Sequence, residues 1–263
     1  MEKFKSKIHR DYSKFLPFSY FSSYIYLDFA AFTFEIRGEN EIVWQDLIFP
    51  HDFPSIFLPK HKEIWTNCSI ALATKNDIEN IKKEKIEILV KKPMGAEYFY
   101  KTKDFTQPQG ALKNKINRFT NNYKFRLKTK YNKNEVLKFY DFWKKQRKHE
   151  SLTLDESEEF FQFCLSSLGK YGIRQVYVEV DDRLAGFAWG IKHRDNWIGL
   201  HLKVDYQYKG LSRFLHSERA KLFSDTKEFT LGTGASDSGI ESYKKELGPS
   251  REEEYFYLLT GGK

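Results

Sequence analysis

The chain has 263 residues and a formal net charge of +8, and only two of its residues are cysteines. This length allows one large domain or two of ordinary size. Cys68 and Cys164 lie far apart and fit no metal or redox spacing, so we expect reduced thiols and an intracellular, cytoplasmic protein. No paired histidine motif and no Gly-x-Ser-x-Gly motif occurs, so the sequence supports neither a zinc site nor a serine hydrolase.

An aromatic stretch at residues 15–34 follows a basic N-terminus. It contains Pro17, Asp28 and several Ser and Tyr residues, which are poorly suited to a bilayer core. We therefore expect no transmembrane segment and predict a helix that lies on the sheet of a first domain. This domain is predicted to span residues 1–109, because Pro108 and a change in charge mark its end.

Beyond residue 124 the hydrophobic period changes repeatedly between that of a strand and that of a helix. The predicted elements are strand 124–131, helices 134–149 and 155–169, strands 174–180, 184–193 and 196–204, a helix from near Gly210, strand 228–231, helix 239–247 and strand 255–259. Few common folds have the order β-α-α-β-β-β-α-β-α-β, and the GNAT acyltransferase fold is one of them. The sequence therefore predicts a mixed α/β, GNAT-like unit at residues 110–263, with a mixed central sheet flanked by helices.

Positive charge is concentrated in residues 111–150, which hold 13 Lys or Arg residues against three acidic residues. A short helix is predicted where this stretch begins, and its apolar stripe consists of Leu112, Ile116 and Phe119. Lys113, Asn117 and Arg118 fall off that stripe. A basic helix face attracts phosphate-rich partners, because each neutralised phosphate releases counterions. The alternative is an ordinary solvated helix face.

The segment from Tyr206 to Ser212 joins a predicted strand to a predicted helix. Gly210 would let backbone N–H groups approach an anion at the helix N-terminus, and Lys209 would add a full positive charge. Lys209, Gly210 and Ser212 are therefore candidate ligands of a donor phosphate. A simple turn between strand and helix is the alternative.

A second glycine-rich turn lies at residues 231–239. Its glycine spacing matches neither a P-loop nor a dinucleotide-binding motif. The turn either lets a substrate approach the backbone closely or caps the following helix with Ser236 or Asp237. Lys244 follows within the last predicted helix, where a lysine is usually exposed, as we expect for Lys245.

The run from Glu97 to Phe105 (EYFYKTKDF), followed by Asn114 to Phe119 (NKINRF), resembles a family signature. It is similar to the C-terminal domain of phosphatidylglycerol lysyltransferases and its stand-alone relatives among the GNAT- and FemABX-type transferases. The further matching positions are Lys203, Asp205, Lys209, Gly210, Glu218, Gly239, Ile240, Lys244 and Pro249. The resemblance covers over half of the chain, from about residue 97 to about residue 257.

This resemblance implies two GNAT-like units, of which the first is degenerate, and transfer of an acyl or aminoacyl group to an amine or hydroxyl. The donor cosubstrate would be aminoacyl-tRNA or acyl-CoA, and the acceptor a small molecule, peptide or lipid headgroup. No bound cofactor and no metal are expected.

The resemblance further implies that Lys244 neutralises the tetrahedral oxyanion and that Lys113, Asn117 and Arg118 face phosphates. We expect Asp205 or Asp237 to take the proton of the nucleophile. The residues that we expect to line a substrate pocket are Lys203, Glu218 and Gly239.

The chain departs from the lipid-modifying members at Gly232, Thr233 and Gly234, where those proteins carry an acidic cluster. A Gly-Thr-Gly turn suits a smaller or neutral transferred group better than a cationic lysyl group. The alternative function is non-catalytic binding of nucleic acid or an anionic surface through residues 111–150 on a GNAT scaffold. A module for protein interaction, using the aromatic N-terminal region, is a third possibility.

Overall fold

A computed structural model describes residues 16–30, 33–37, 41–45, 54–58, 62, 65–146, 153–233 and 238–262. The helices are a 3-10 helix Tyr20–Ser22, α1 Tyr24–Phe29, α2 Lys75–Lys83, α3 Thr102–Thr106, α4 Gly110–Thr120, α5 Lys133–Gln146, α6 Thr153–Ser166, α7 Leu211–Lys221 and α8 Ser238–Glu246. The strands are β1 Thr33–Arg37, β2 Glu41–Gln45, β3 Pro54–Ile56, β4 Ser69–Ala73, β5 Ile88–Lys101, β6 Phe125–Lys128, β7 Arg174–Val180, β8 Arg183–His193, β9 Asn196–Val204, β10 Glu228–Thr233 and β11 Arg251–Thr260.

The chain forms two compact units. The first combines Met1–Tyr98, Gly232–Glu246 and Arg251–Lys263, and the second combines Phe99–Leu231 and Leu247–Ser250. Both units are built from segments that are distant in sequence, because the chain returns to the first unit at α8 and β11. The predicted division into residues 1–109 and 110–263 stays a prediction.

In the first unit the strands lie in the order β1-β2-β3-β4-β11-β5. Neighbours from β1 to β3 are antiparallel, β3 and β4 are parallel, and β4 and β11 are antiparallel. Helix α2 begins with a capping box, in which Thr74 and Asp77 accept each other's backbone N–H groups. Its buried Ile78 and Ile81 pack with Leu258 of β11, so α2 lies against β11.

In the second unit the strands lie in the order β10-β9-β8-β7-β6. β6 to β9 are antiparallel to their neighbours, whereas β10 runs parallel to β9. A hydrophobic core lies between these strands and helices α4 and α7. Its members include Phe119 of α4, Val178 of β7 and Leu215 of α7.

The predicted order of elements in the C-terminal part is confirmed, and so is the mixed α/β fold class. Strands β7 and β9 have the predicted bounds. The predicted stripe of α4 is also confirmed, because Ile116 and Phe119 are buried and Leu112 packs against the same core.

The largest difference is at β11, which begins at Arg251 rather than at the predicted residue 255. Its first part, Arg251–Glu254, is charged and mostly exposed. The strand forms there because its hydrogen bonds to neighbouring strands come from backbone groups, which do not require apolar side chains.

The aromatic N-terminal stretch contains the short helix α1, whose Tyr24, Ile25 and Leu27 are buried. Leu27 packs with Tyr255 of β11 in a small core. No helix within the described ranges is long and apolar enough to cross a membrane.

Candidate active site

Lys244 is an unusual side chain of the first unit, because it is a lysine in the last turn of helix α8 and yet only 8% exposed. Its Nζ donates hydrogen bonds to the carbonyl oxygens of Gly232, at 2.9 Å, and Thr233, at 2.5 Å. Its neighbour Lys245 is exposed, as predicted. The expectation that a lysine in this helix is exposed therefore applies to Lys245 and not to Lys244.

Burial lowers the pKa of Lys244 to about 7, because the low-dielectric interior disfavours the ammonium form. The negative charge of Glu97 opposes this shift. Near neutral pH both the ammonium and the amine are consequently accessible. A lysine with this pKa can act either as a cation or as a base. Holding the cation in the buried position costs free energy that an exposed lysine does not lose.

The turn that holds Lys244 depends on Gly232. This glycine has φ of +73°, a left-handed conformation that other residues rarely adopt. A Cβ at Gly232 would lie 3.2 Å from Cγ of Tyr20, so the Tyr20 ring packs against the turn. The predicted capping residues Ser236 and Asp237, and Gly234, lie outside the described residues, and the catalytic role of Asp237 stays a prediction.

In the second unit, the turn that precedes α7 is shaped by Asp205. Its carboxylate accepts the backbone N–H of Gln207 at 3.0 Å and the side-chain amide of Gln207 at 2.6 Å, which is a local side-chain-to-backbone turn. Asp205 is 8% exposed. Its predicted role as a proton acceptor stays a prediction, and its position gives it a structural role in the turn.

Gly210 caps α7 with φ of +92° and has no side-chain cap. A Cβ there would lie 2.2 Å from the carbonyl oxygen of Lys115, so the backbone of α4 packs directly on this glycine. The close approach gives Gly210 a packing function. The structure thus brings the predicted α4 residues and the Gly210 turn together in one unit.

The exposed face of α4 carries Lys113, Asn117 and Arg118, as the helical spacing predicts. Lys209 is exposed as well, and Ser212 accepts a hydrogen bond from Arg213 at 3.3 Å. The binding of a donor phosphate by these residues stays a prediction.

The residues predicted to line a substrate pocket do not share one environment. The Nζ of Lys203 lies 3.7 Å from the ring centroid of Trp143, within range of a cation–π interaction. Glu218 forms an ion pair with Lys221 one turn along α7. Gly239 is exposed at the start of α8.

Strands β9 and β10 pair only where Trp197 and Ile198 face Phe229 and Thr230. The pairing of β8 with β9 shifts register between Ala188 and Gly190. Such an irregularity bends a strand and redirects its later side chains. The end of β9, which carries the predicted Lys203, lies beyond the shift.

A buried arginine that sequence reasoning missed lies next to this irregularity. Arg219 is 1% exposed and donates to the Trp189 carbonyl at 3.1 Å and to Nδ1 of His216 at 3.0 Å. A Cβ at Gly199 would lie 2.8 Å from its Nη2. These contacts indicate that Arg219 orders β8 and β9 against α7.

Sequence reasoning also missed the surroundings of Glu97, a fully buried carboxylate in the first unit that contacts Ser19, Tyr20 and Tyr255. The signal was present, because an acid inside the otherwise apolar run AEYFY of β5 predicts a buried charge with partners. The partners themselves could not be found, because they lie far from it along the chain.

No group of three or more His, Cys, Asp or Glu residues in the described part of the chain could hold a metal ion.

The fold is that of one class of protein, the GNAT-type transferases. The chain matches the model of the acetyltransferase (GNAT) domain family over residues 109–245. Because this match spans more than half of the chain, the protein belongs to that family. No curated protein matches the chain.

Solved structures similar to this chain have its fold along nearly the whole length. A conserved protein of unknown function from Bacteroides thetaiotaomicron is 14% identical with a TM-score of 0.79, and the match covers 98% of each chain. FemX is 8% identical with a TM-score of 0.66, and 98% of each chain is covered. The C-terminal domain of a candidate lysylphosphatidylglycerol synthetase from Agrobacterium fabrum is 10% identical with a TM-score of 0.64, and 98% of this chain and 93% of that chain are covered.

At sequence identities this low, the similarity to these solved structures shows that the fold is shared. At that level the predicted resemblance to the C-terminal domain of the phosphatidylglycerol lysyltransferases is confirmed.

Proposed function

We propose that the protein transfers an acyl or aminoacyl group from an ester or thioester donor to an amine or hydroxyl, with Lys244 as the group that stabilises the oxyanion. The observation that carries this proposal is the burial of Lys244 on the carbonyls of Gly232 and Thr233. Burying a lysine is costly unless its interactions compensate for the hydration that it gives up. A desolvated ammonium of this kind is suited to stabilising a developing negative charge.

The reaction would proceed by direct attack of the acceptor on the donor carbonyl. A bond forms from the nucleophile to the carbonyl carbon, and the carbonyl electron pair moves to oxygen. The Lys244 ammonium would donate a hydrogen bond to this oxyanion. Collapse of the intermediate breaks the bond to the leaving group, which is a ribose hydroxyl of tRNA or the thiol of coenzyme A. The proton of the nucleophile would pass to a base, for which the sequence predicts Asp237, and from that base to the departing hydroxyl or thiol group.

Two classes of donor fit this chemistry. The exposed basic face of α4, with Lys113, Asn117 and Arg118, suits a polynucleotide that presents several phosphates. It lies in the same unit as the Gly210 turn, on which α4 packs closely. We therefore favour aminoacyl-tRNA over acyl-CoA. FemX and the lysylphosphatidylglycerol synthetase domain have the same fold as this chain, and that shared fold is the only support that they give to this preference.

The test measures transfer of label from aminoacylated total tRNA, and separately from acetyl-CoA, to a mixture of small-molecule, peptide and lipid acceptors. Removing one oxyanion donor typically lowers kcat by about 10²–10³. We expect Lys244→Met to lose activity by this factor and Lys245→Met, the matched change at an exposed position, to keep it. If both variants transferred equally well, Lys244 would have no catalytic role.

Non-catalytic binding of nucleic acid or an anionic surface is the second candidate, and the exposed basic face of α4 favours it. It predicts salt-dependent tRNA binding that is unchanged in Lys244→Met, without transfer from either donor. Lys113→Gln with Arg118→Gln would weaken such binding. Lys82→Gln with Lys83→Gln, which removes two exposed charges from α2, is the matched control.

A further inference from the structure

The carboxylate of Glu97 lies in the interior of the first unit, where it is fully buried on β5. Its Oε2 accepts hydrogen bonds from the Ser19 hydroxyl at 2.6 Å and the Tyr255 hydroxyl at 3.1 Å. Its Oε1 accepts the backbone N–H of Tyr20 at 2.6 Å. Three donors from two distant segments thus converge on one side chain. A buried charge is tolerated when such bonds replace its hydration.

These bonds attach the start of the 3-10 helix to β5. Ser19 is the N-cap of that helix, and its hydroxyl, which donates to Glu97, also accepts the backbone N–H of Phe21 at 3.2 Å. The segment is therefore held by a cap and by the carboxylate at the same time. Its orientation fixes the position of the Tyr20 ring.

The Tyr20 ring is the link from Glu97 to Lys244. It packs on Gly232, where a Cβ would lie 3.2 Å from Cγ of the ring. The carbonyl of Gly232 accepts a hydrogen bond from Lys244. The next carbonyl, of Thr233, accepts a second one. A continuous path of contacts therefore runs from the carboxylate to the ammonium.

We propose that Glu97 is a positioning residue for Lys244: it holds the Ser19–Tyr20 segment against the Gly232–Thr233 turn, and its negative charge compensates the buried ammonium. The proposal deepens the proposed function and rests on it for its catalytic meaning. The contacts and the charge effect exist whether or not transfer takes place. They can therefore be tested separately.

The electrostatic side of the proposal follows from the groups around Lys244. Burial lowers the pKa of Lys244, and Glu97 raises it. On β11, burial raises the pKa of Tyr255, and the charge of Glu97 raises it further, so this hydroxyl stays neutral. On α8 itself, Glu241 accepts a hydrogen bond from Tyr98 and pairs with Lys245. Loss of the Glu97 charge should therefore lower the pKa of Lys244.

The first experiment is an NMR titration of the lysine side chains in the full chain, with the signal of Lys244 assigned by its absence in Lys244→Met. In Glu97→Gln we expect the pKa of Lys244 to fall by about one pH unit, an approximately tenfold loss of the ammonium form above that pKa. Tyr255→Phe removes one hydrogen bond to Glu97 but leaves its charge, and should change the pKa of Lys244 far less. An unchanged pKa in Glu97→Gln would overturn the proposal.

A second measurement keeps the test available if Glu97→Gln does not fold. Coupled charges sense each other's titration, so the carboxyl carbon of Glu97 in the wild-type chain should show an inflection at the pKa of Lys244. This inflection should disappear in Lys244→Met. A carboxyl signal that is flat through that pH range would refute the coupling.

Activity then supplies the catalytic readout. With the cation as the active form, transfer falls as pH rises through the pKa of Lys244. Glu97→Gln should move this decline to lower pH by the same amount as the NMR titration, with the loss in kcat rather than in KM. If no donor is used at all, the proposed function fails while the titration still decides the role of Glu97. A decline that stays in place despite a shifted pKa would refute the catalytic part.

Discussion

Replacing Lys244 by Met should change how the stability of the protein depends on pH. The folded chain places this lysine in a buried position, where its pKa is lowered from 10.5 to about 7. In the unfolded chain the side chain is hydrated and has its ordinary pKa. The two states therefore bind different numbers of protons over a wide pH range, and this difference is a free energy.

The sign follows from proton binding. Below about pH 7 both states hold the proton, and the folded state bears the whole cost of the buried ammonium. Between about 7 and 10.5 the unfolded state holds a proton that the folded state releases, so the free energy of unfolding rises with pH. At about 1.36 kcal/mol for each pH unit, the full cost is on the order of 5 kcal/mol.

Urea denaturation of the wild type, Lys244→Met and the control Lys245→Met, at intervals from pH 6 to pH 9, measures this difference. Lys244→Met also removes two hydrogen bonds, and leaving their acceptors unpaired costs about 1–3 kcal/mol each. The absolute difference at one pH therefore combines two effects of opposite sign. Its slope does not, because the missing hydrogen bonds contribute little to the pH dependence.

We expect the wild type to gain stability relative to Lys244→Met by about 1.4 kcal/mol for each pH unit above 7. Relative to Lys245→Met, which lacks an exposed lysine, it should gain almost nothing. Parallel curves for the wild type and Lys244→Met would refute the reasoning, because they would mean that Lys244 titrates alike in both states.

Two further predictions concern backbone and charge. Gly232→Ala and Gly210→Ala should each destabilise the fold by more than Gly248→Ala in urea denaturation, because all three glycines have positive φ but only the first two meet other atoms within 4 Å. Equal losses for the three variants would contradict this ranking. The double variant Lys113→Gln with Arg118→Gln should leave stability unchanged. It should reduce the slope of log binding constant against log salt concentration for tRNA by about one for each phosphate that is no longer neutralised. An unchanged slope would exclude α4 from the interface.

Helical spacing was informative wherever one face of an element is buried. It predicted the apolar face of α4 and the basic face opposite, because a helix of this period cannot bury Ile116 and Phe119 without exposing Lys113 and Arg118. The changes between the hydrophobic period of a strand and that of a helix also predicted the order of the elements from β6 to β11. They did not predict the start of β11, since the charged residues there join the sheet through their backbone alone.

The surroundings of Lys244 were predictable only in part. A family resemblance singled out Lys244, whereas its position in a helix suggested an ordinary exposed lysine. Its burial could not be derived from local spacing. The carbonyl groups that accept its hydrogen bonds belong to a turn, and the path of that turn depends on the positive φ of Gly232. Glu97 was part of the matching motif, but no role for it could be assigned from sequence.

Local pattern by itself determined the elements and their order, because each depends on the period of nearby apolar residues. Tertiary structure alone decided the chemical environment of the side chains. Glu97 contacts Ser19 and Tyr255, residues 78 and 158 positions away, and Lys244 acquires its lowered pKa from its burial in the folded chain. Desolvation depends on everything that surrounds a charge in space, and neighbours along the chain are only a small part of that surrounding.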